Sequence, residues 1–121
     1  YKKCLSAQLI HEDFRNTFAL AEPGDVIYCD PPYVPLTENN QTLPYNQKLF
    51  SLEDQIELAE LAQETASKGI PVIISNHDTE FTRHHYKKAQ IKSFYVPRWI
   101  SCRSQMRLPV KELVAVFNCP S

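Results

Sequence analysis

Asp30-Pro31-Pro32-Tyr33 sets three kinds of chemical group side by side. The carboxylate of Asp30 accepts hydrogen bonds. Two prolines, with fixed φ and no N–H, make a stiff turn whose carbonyl oxygens stay free to accept. Tyr33 presents a flat aromatic face for stacking. An amino group on a planar base suits this set: its hydrogens would point at Asp30 and the Pro31 carbonyl while its ring lies against Tyr33. The same four residues could also do no more than end a strand, because Asp and Pro are common where chains turn.

The preceding residues bear on that choice. Gly24-Asp25 leads into the apolar run Val26-Ile27-Tyr28-Cys29, which reads as a buried parallel strand. The four residues then fall at the strand's carboxyl end, where open α/β sheets place ligands. From Pro35 to Lys48 the chain is polar and reads as a loop, either a solvated connector or a segment that closes over whatever the turn binds. A helix should begin after Ser51, which with Asp54 resembles a capping box. Leu52, Ile56, Ala59, Ala62 and Ala66, flanked by Leu58 and Leu61, form its apolar face, and Gly69 stops it. The next strand runs from Val72 to Ser75 and completes a βαβ unit.

Elsewhere the pattern predicts a strand over Leu5–Ile10, a short helix over Phe14–Leu20 and a turn at Pro23-Gly24-Asp25. Asp78 or Thr79 would cap a helix running toward Tyr86. His77, in the turn after the strand, is expected to cap or pack and not to act as a base. His84-His85 beside Lys87-Lys88 reads as a solvated helix end and not as a metal site, since the spacing offers no third ligand. Ile91–Ile100 and Glu112–Phe117 read as strands joined by a hairpin-like connection over Ser101–Pro109; Arg103 and Arg107, which with Arg98 would form a local basic face, could meet phosphates or simply be solvated.

At 121 residues the chain fits one domain, and its net charge of −1 is not that of an independent nucleic-acid binder. The four cysteines, Cys4, Cys29, Cys102 and Cys119, include no close pair and suit neither a disulfide framework nor a zinc site. Reduced thiols and a cytoplasmic location are expected. The apolar stretches are of strand length and predict no membrane span.

The segment Gly24 to Tyr33 resembles the catalytic motif of amino-methyltransferases that use S-adenosylmethionine, and nearly the whole chain resembles the Dam-type DNA adenine methyltransferases. Asp13-Phe14 lies in a segment of that family that meets the donor's adenine. Tyr45 and Phe50 match aromatic positions after the catalytic motif. Ile70 to Thr79 looks like the family's next strand and turn, and Arg98, Ile100, Ser101, Arg107 and Val110-Lys111-Glu112-Leu113 resemble a later segment. The chain departs from the family at Thr42-Leu43-Pro44 and at Cys102 to Met106.

The resemblance implies an α/β chain: part of a Rossmann-like methyltransferase fold with a mixed, mainly parallel sheet. It implies transfer of a methyl group from S-adenosylmethionine to N6 of an adenine flipped out of double-stranded DNA, in sites of the GATC type, with no metal. Asp30, Pro31, Pro32 and Tyr33 would carry the catalysis. Asp13, Phe14, Asp30 and Tyr45 would meet the donor. Cytosine N4 and RNA adenine remain alternative acceptors.

Gly24 and Gly69 are the only glycines, and neither lies in the glycine-rich turn that a donor loop needs. The chain is therefore expected to be the C-terminal part of one catalytic domain, without the donor loop and the main DNA-reading region. As a fragment it is expected to be inactive and to self-associate. A truncated piece that binds a partner and catalyses nothing is the alternative.

Overall fold

The computed structural model describes residues 7–36, 50–101 and 106–118. Its elements begin where the local chemistry satisfies free backbone groups. Asp13 caps the first helix, α1 (Phe14–Leu20), by accepting from the Arg15 amide. Pro23-Gly24 turns the chain, with Gly24 at φ +99°, into β1 (Ile27–Cys29). Ser51 and Asp54 complete the expected capping box at the start of α2 (Leu52–Ser67), and Gly69, at φ +94°, lies just beyond its end. Then come β2 (Val72–His77), α3 (Glu80–His85), β3 (Gln90–Ser101) and β4 (Met106–Phe117). Thr79, one of the two candidates, caps α3 with a side-chain bond from Thr82.

The fold is mixed α/β, with strands in the order β1-β2-β4-β3. β1 and β2 are parallel, with Ile27 opposite Val72 and Cys29 opposite Ile74, and α2 forms the crossover. β4 runs antiparallel to both β2 and β3. The sheet is therefore mixed as expected, but among the described strands only one of the three pairings is parallel. Val72, Ile74 and Asn76 share one face with their β4 partners Phe117, Ala115 and Leu113. All six are buried, and the apolar ones join Leu58, Ala59, Ala62 and Ala66 of α2 in the core.

Three expectations change. Residues 7–10 form no strand: Leu9 is 97 % exposed and Ile10 53 %. An apolar run becomes a strand only where a neighbour pairs with its backbone, and among the described residues none does. The buried face of α2 is also rotated from the one expected. Leu58, Ala59, Ala62 and Ala66 are buried as expected, but Gln55 and Thr65 also point inward while Leu52 is exposed, because Gln55 finds hydrogen-bond partners beneath the helix. Finally, the connection between β3 and β4 is shorter than Ser101–Pro109. β4 already begins at Met106, opposite Ser101, and the pairing passes through a bulge between Trp99 and Ser101 and a Pro97–Pro109 facing pair.

Candidate active site

β1 delivers the Asp30-Pro31-Pro32-Tyr33 turn at its carboxyl end, as expected, but it is not the buried strand its apolar run predicts: among the described strands it lies at the sheet edge, and Tyr28 is 63 % exposed. The register that pairs Cys29 with Ile74 sets Asp30 next to Ser75. The Ser75 hydroxyl donates to Asp30 Oδ1 at 3.1 Å and accepts from the Tyr28 hydroxyl at 3.2 Å. Asp30 itself is exposed, so one carboxylate oxygen is held while the group stays open to a ligand.

The other end of the turn is fastened from α2 and β2. Gln55 Nε2 donates to the Pro32 carbonyl at 2.6 Å. Asn76 Oδ1 accepts from the Val34 amide at 3.0 Å. His77 Nδ1 lies 2.7 Å from the Val34 carbonyl, which can only accept, so the ring nitrogen donates. The His77 ring also meets Tyr33 edge to face, with centroids 4.8 Å apart. This is the packing role expected of it. Burial pushes the Tyr33 phenol up, so the ring stays neutral near pH 7.

Beside the turn lies an open cavity of about 260 Å³, lined in part by Asp30, Pro31, Cys29, Phe14 and Phe50. The Phe14 and Phe50 rings are 5.6 Å apart and tilted by 56°. Arg15 stacks its guanidinium 4.4 Å from the Phe14 ring centre. It also pairs with Asp13, Asp54 and Glu57. Hydrogen bonds from Arg15 hold Glu57 below the usual carboxylate range, and the Ser51 amide together with Arg15 does the same for Asp54. This cluster ties the start of α1 to the start of α2 and fixes the outer face of Phe14. Burial pushes the Cys29 thiol up to about 11, so it lines the cavity as a neutral group, in keeping with the small hydrophobe expected there.

Of the expected site residues, Asp30, Pro31 and Phe14 meet around this cavity. Tyr33 stands apart against His77, and Pro32 contributes its carbonyl to Gln55. Asp13 turns its carboxylate to the Arg15 amide and guanidinium, and its neighbour Glu12 lines the cavity instead. Tyr45 and Arg103 lie outside the described residues. The expected chemistry missed Ser75, Gln55 and Asn76. The signal was present for two of them: Asn76 continues the inward alternation of Val72 and Ile74, and Gln55 falls within the apolar stripe of α2. A polar side chain at an inward position must find a partner.

Among the described residues no cluster of three His, Cys, Asp or Glu is placed to hold a metal ion, and no helix is long and apolar enough to cross a membrane. The model of the D12 class N6 adenine-specific DNA methyltransferase family matches residues 1–99. The chain is 44 % identical over 117 residues to the DNA adenine methylase of Haemophilus influenzae, covering 96 % of this chain and 41 % of that protein. It is 43 % identical over 118 residues to that of Vibrio cholerae, covering 97 % and 43 %. To that of Escherichia coli K12 it is 39 % identical over 117 residues, covering 97 % and 42 %. The chain thus spans about two fifths of the length of the curated relatives it matches.

Proposed function

This chain belongs to the D12 class N6 adenine-specific DNA methyltransferase family, and from that premise we propose that its parent protein methylates adenine N6 in double-stranded DNA, the target base being held by Asp30, Pro31 and Tyr33. The observation that carries this reading is the turn itself. Asp30 is exposed at the carboxyl end of β1, with its Oδ1 held by Ser75 and its other oxygen open. The Pro32 carbonyl is taken by Gln55, which leaves the Pro31 carbonyl, at the cavity wall, as the second acceptor for an amino group.

The chemistry follows from these acceptors. Asp30 and the Pro31 carbonyl each take one N–H of the adenine amino group, which turns the nitrogen lone pair out of the ring plane. S-adenosylmethionine, the donor the family resemblance implies, supplies an electrophilic methyl group on a sulfonium. The nitrogen needs no prior deprotonation, because once alkylated it is acidic and loses its proton readily. Positioning and electrostatics therefore carry the rate. The base must leave the duplex stack to reach this pocket, and Tyr33 supplies the face on which it stacks.

Phe14 and Phe50 fit the adenine end of the donor, as two rings at the rim of the cavity that reaches Asp30. The cavity, at about 260 Å³, is smaller than the roughly 300–1,000 Å³ of a complete cofactor site. We assign Phe14 and Phe50 to one wall; Tyr45 is the further donor contact that the family resemblance implies. The glycine-rich donor loop and the main DNA-reading region would lie in the rest of the parent. GATC-type sites remain the expected target.

The test uses the full-length parent, S-adenosylmethionine with a labelled methyl group, and duplexes with and without adenine. Label recovered as N6-methyladenine supports the reading. Label on cytosine, or transfer to RNA alone, contradicts it.

A further inference from the structure

We infer that Gln55 and Asn76 form a polarity-locked amide relay that sets the shape of the Pro32–Val34 turn, and so act as positioning residues for the Tyr33 ring; this rests on the reading of that turn as the base pocket.

The relay is built from one direction to the other without ambiguity. The Pro32 carbonyl can only accept, so the Gln55 group facing it at 2.6 Å is its NH₂. The Val34 amide can only donate, so the Asn76 group facing it at 3.0 Å is its oxygen. These two backbone groups fix the remaining atoms. Gln55 is left with its oxygen, and Asn76 with its NH₂, and those two meet at 3.2 Å. The same Asn76 NH₂ donates to the Tyr86 hydroxyl at 3.1 Å, and Asn76 Oδ1 also accepts from the His77 amide at 2.8 Å. Tyr86 is itself buried and packs edge-on against Phe117 in the core.

The relay therefore runs from the core to both flanks of Tyr33. It leaves the backbone on either side of the ring little freedom to shift. Gln55 is 1 % exposed and Asn76 0 %, so water cannot readily replace the lost bonds. Burying two amides is costly unless they are paired. α2 and β2 would be easier to pack with leucine at these places. What the amides supply is a turn of defined shape at the one point where a flat ring must meet a base. Only a side chain with a donor and an acceptor can serve at either position.

The experiment uses the full-length parent. Gln55→Met removes both halves of the Gln55 contribution at nearly constant volume. Gln55→Glu keeps the acceptor for Asn76 and sets a second oxygen against the Pro32 carbonyl. Four quantities are read: melting temperature, equilibrium affinity for S-adenosylmethionine, fluorescence of a 2-aminopurine target, and single-turnover methyl transfer. Both variants should slow transfer by roughly 10- to 100-fold and diminish the 2-aminopurine signal. Donor affinity should stay within about twofold and melting should remain cooperative.

Transfer and 2-aminopurine signals within about twofold of wild type would overturn the inference. So would a loss of donor affinity and melting temperature in step with the rate, which marks a merely structural role. Should Gln55→Met fail to fold, Gln55→Glu decides. Should both fail, amide exchange at Val34 in the wild type decides: slow exchange supports the relay and fast exchange overturns it. Asp30→Ala and Tyr33→Ala are run alongside. If those two transfer normally, the reading of the site has failed; if they are impaired and the Gln55 variants are not, only this inference has.

Discussion

Ser75 Oγ donates to Asp30 Oδ1 at 3.1 Å across the parallel β1–β2 pair, one step beyond the Cys29–Ile74 register. The strand that ends in the motif and the strand that follows it in space thus meet on the carboxylate. The hydrogen bond orients the Asp30 carboxylate at the end of the strand.

Ser75→Ala removes that bond without disturbing the pairing. A single hydrogen bond of this kind contributes roughly 0.5–1.5 kcal/mol, which is about two- to tenfold in rate. Single-turnover transfer by the full-length variant should fall within that range, with donor affinity unchanged. An unaltered rate would show that Asp30 is oriented by other means.

Tyr33→Ala should weaken capture of an extruded base by on the order of 1–3 kcal/mol, as other base–aromatic stacks do. Tyr33→Phe keeps the ring and should be milder. A 2-aminopurine target reports the difference. If Phe is as damaging as Ala, the hydroxyl and not the ring is what matters.

Much of the site's placement is legible in the sequence. The apolar run before Asp30, the capping box at Ser51 and Asp54 and the stop at Gly69 locate the turn and its crossover helix, because local backbone satisfaction decides such boundaries. The polar side chains that hold the turn were not read in advance. Gln55 sits in a stripe judged by apolar residues alone, and its inward rotation depends on Pro32 and Asn76, which come from other elements. Of the strand expected over Leu5–Ile10, the described residues 7–10 form none, for the related reason that a strand needs a partner the local pattern does not reveal. The antiparallel share of the sheet follows from β4 entering between β2 and β3, an order that periodicity does not encode.

Asp78 links stability to pH. Its carboxylate accepts from the Arg83 guanidinium and the Ser93 hydroxyl, with Lys111 nearby. Arg83 chiefly, with Ser93, lowers its pKa from 3.8 to about 2. A depressed carboxylate stabilises the fold fully above its unfolded value and loses that contribution as pH falls through the folded one. The loss therefore spans pH 3.8 down to about 2 and is on the order of 2 kcal/mol. Asp78→Asn should flatten the acid limb of unfolding in that window. An acid limb as steep as that of the wild type would place the linkage on other groups.

The isolated 121-residue chain should transfer no methyl group and should self-associate. It offers one wall of the cavity, and Val26 and Tyr28 are each 63 % exposed at the β1 edge. It should also bind the donor poorly: calorimetric titration with S-adenosylmethionine, beside the full-length parent, checks that, and sedimentation checks self-association. Micromolar binding by the chain alone would mean that the donor site is complete here.

The central claim is that Asp30 receives the amino group that is methylated. Asp30→Ala in the full-length parent, followed by single-turnover methylation of an adenine-containing duplex under saturating donor, tests it most directly. The predicted result is a loss of roughly 100-fold or more with the fold and donor affinity retained. A rate within about tenfold of wild type, or 1.4 kcal/mol of barrier, would contradict the account.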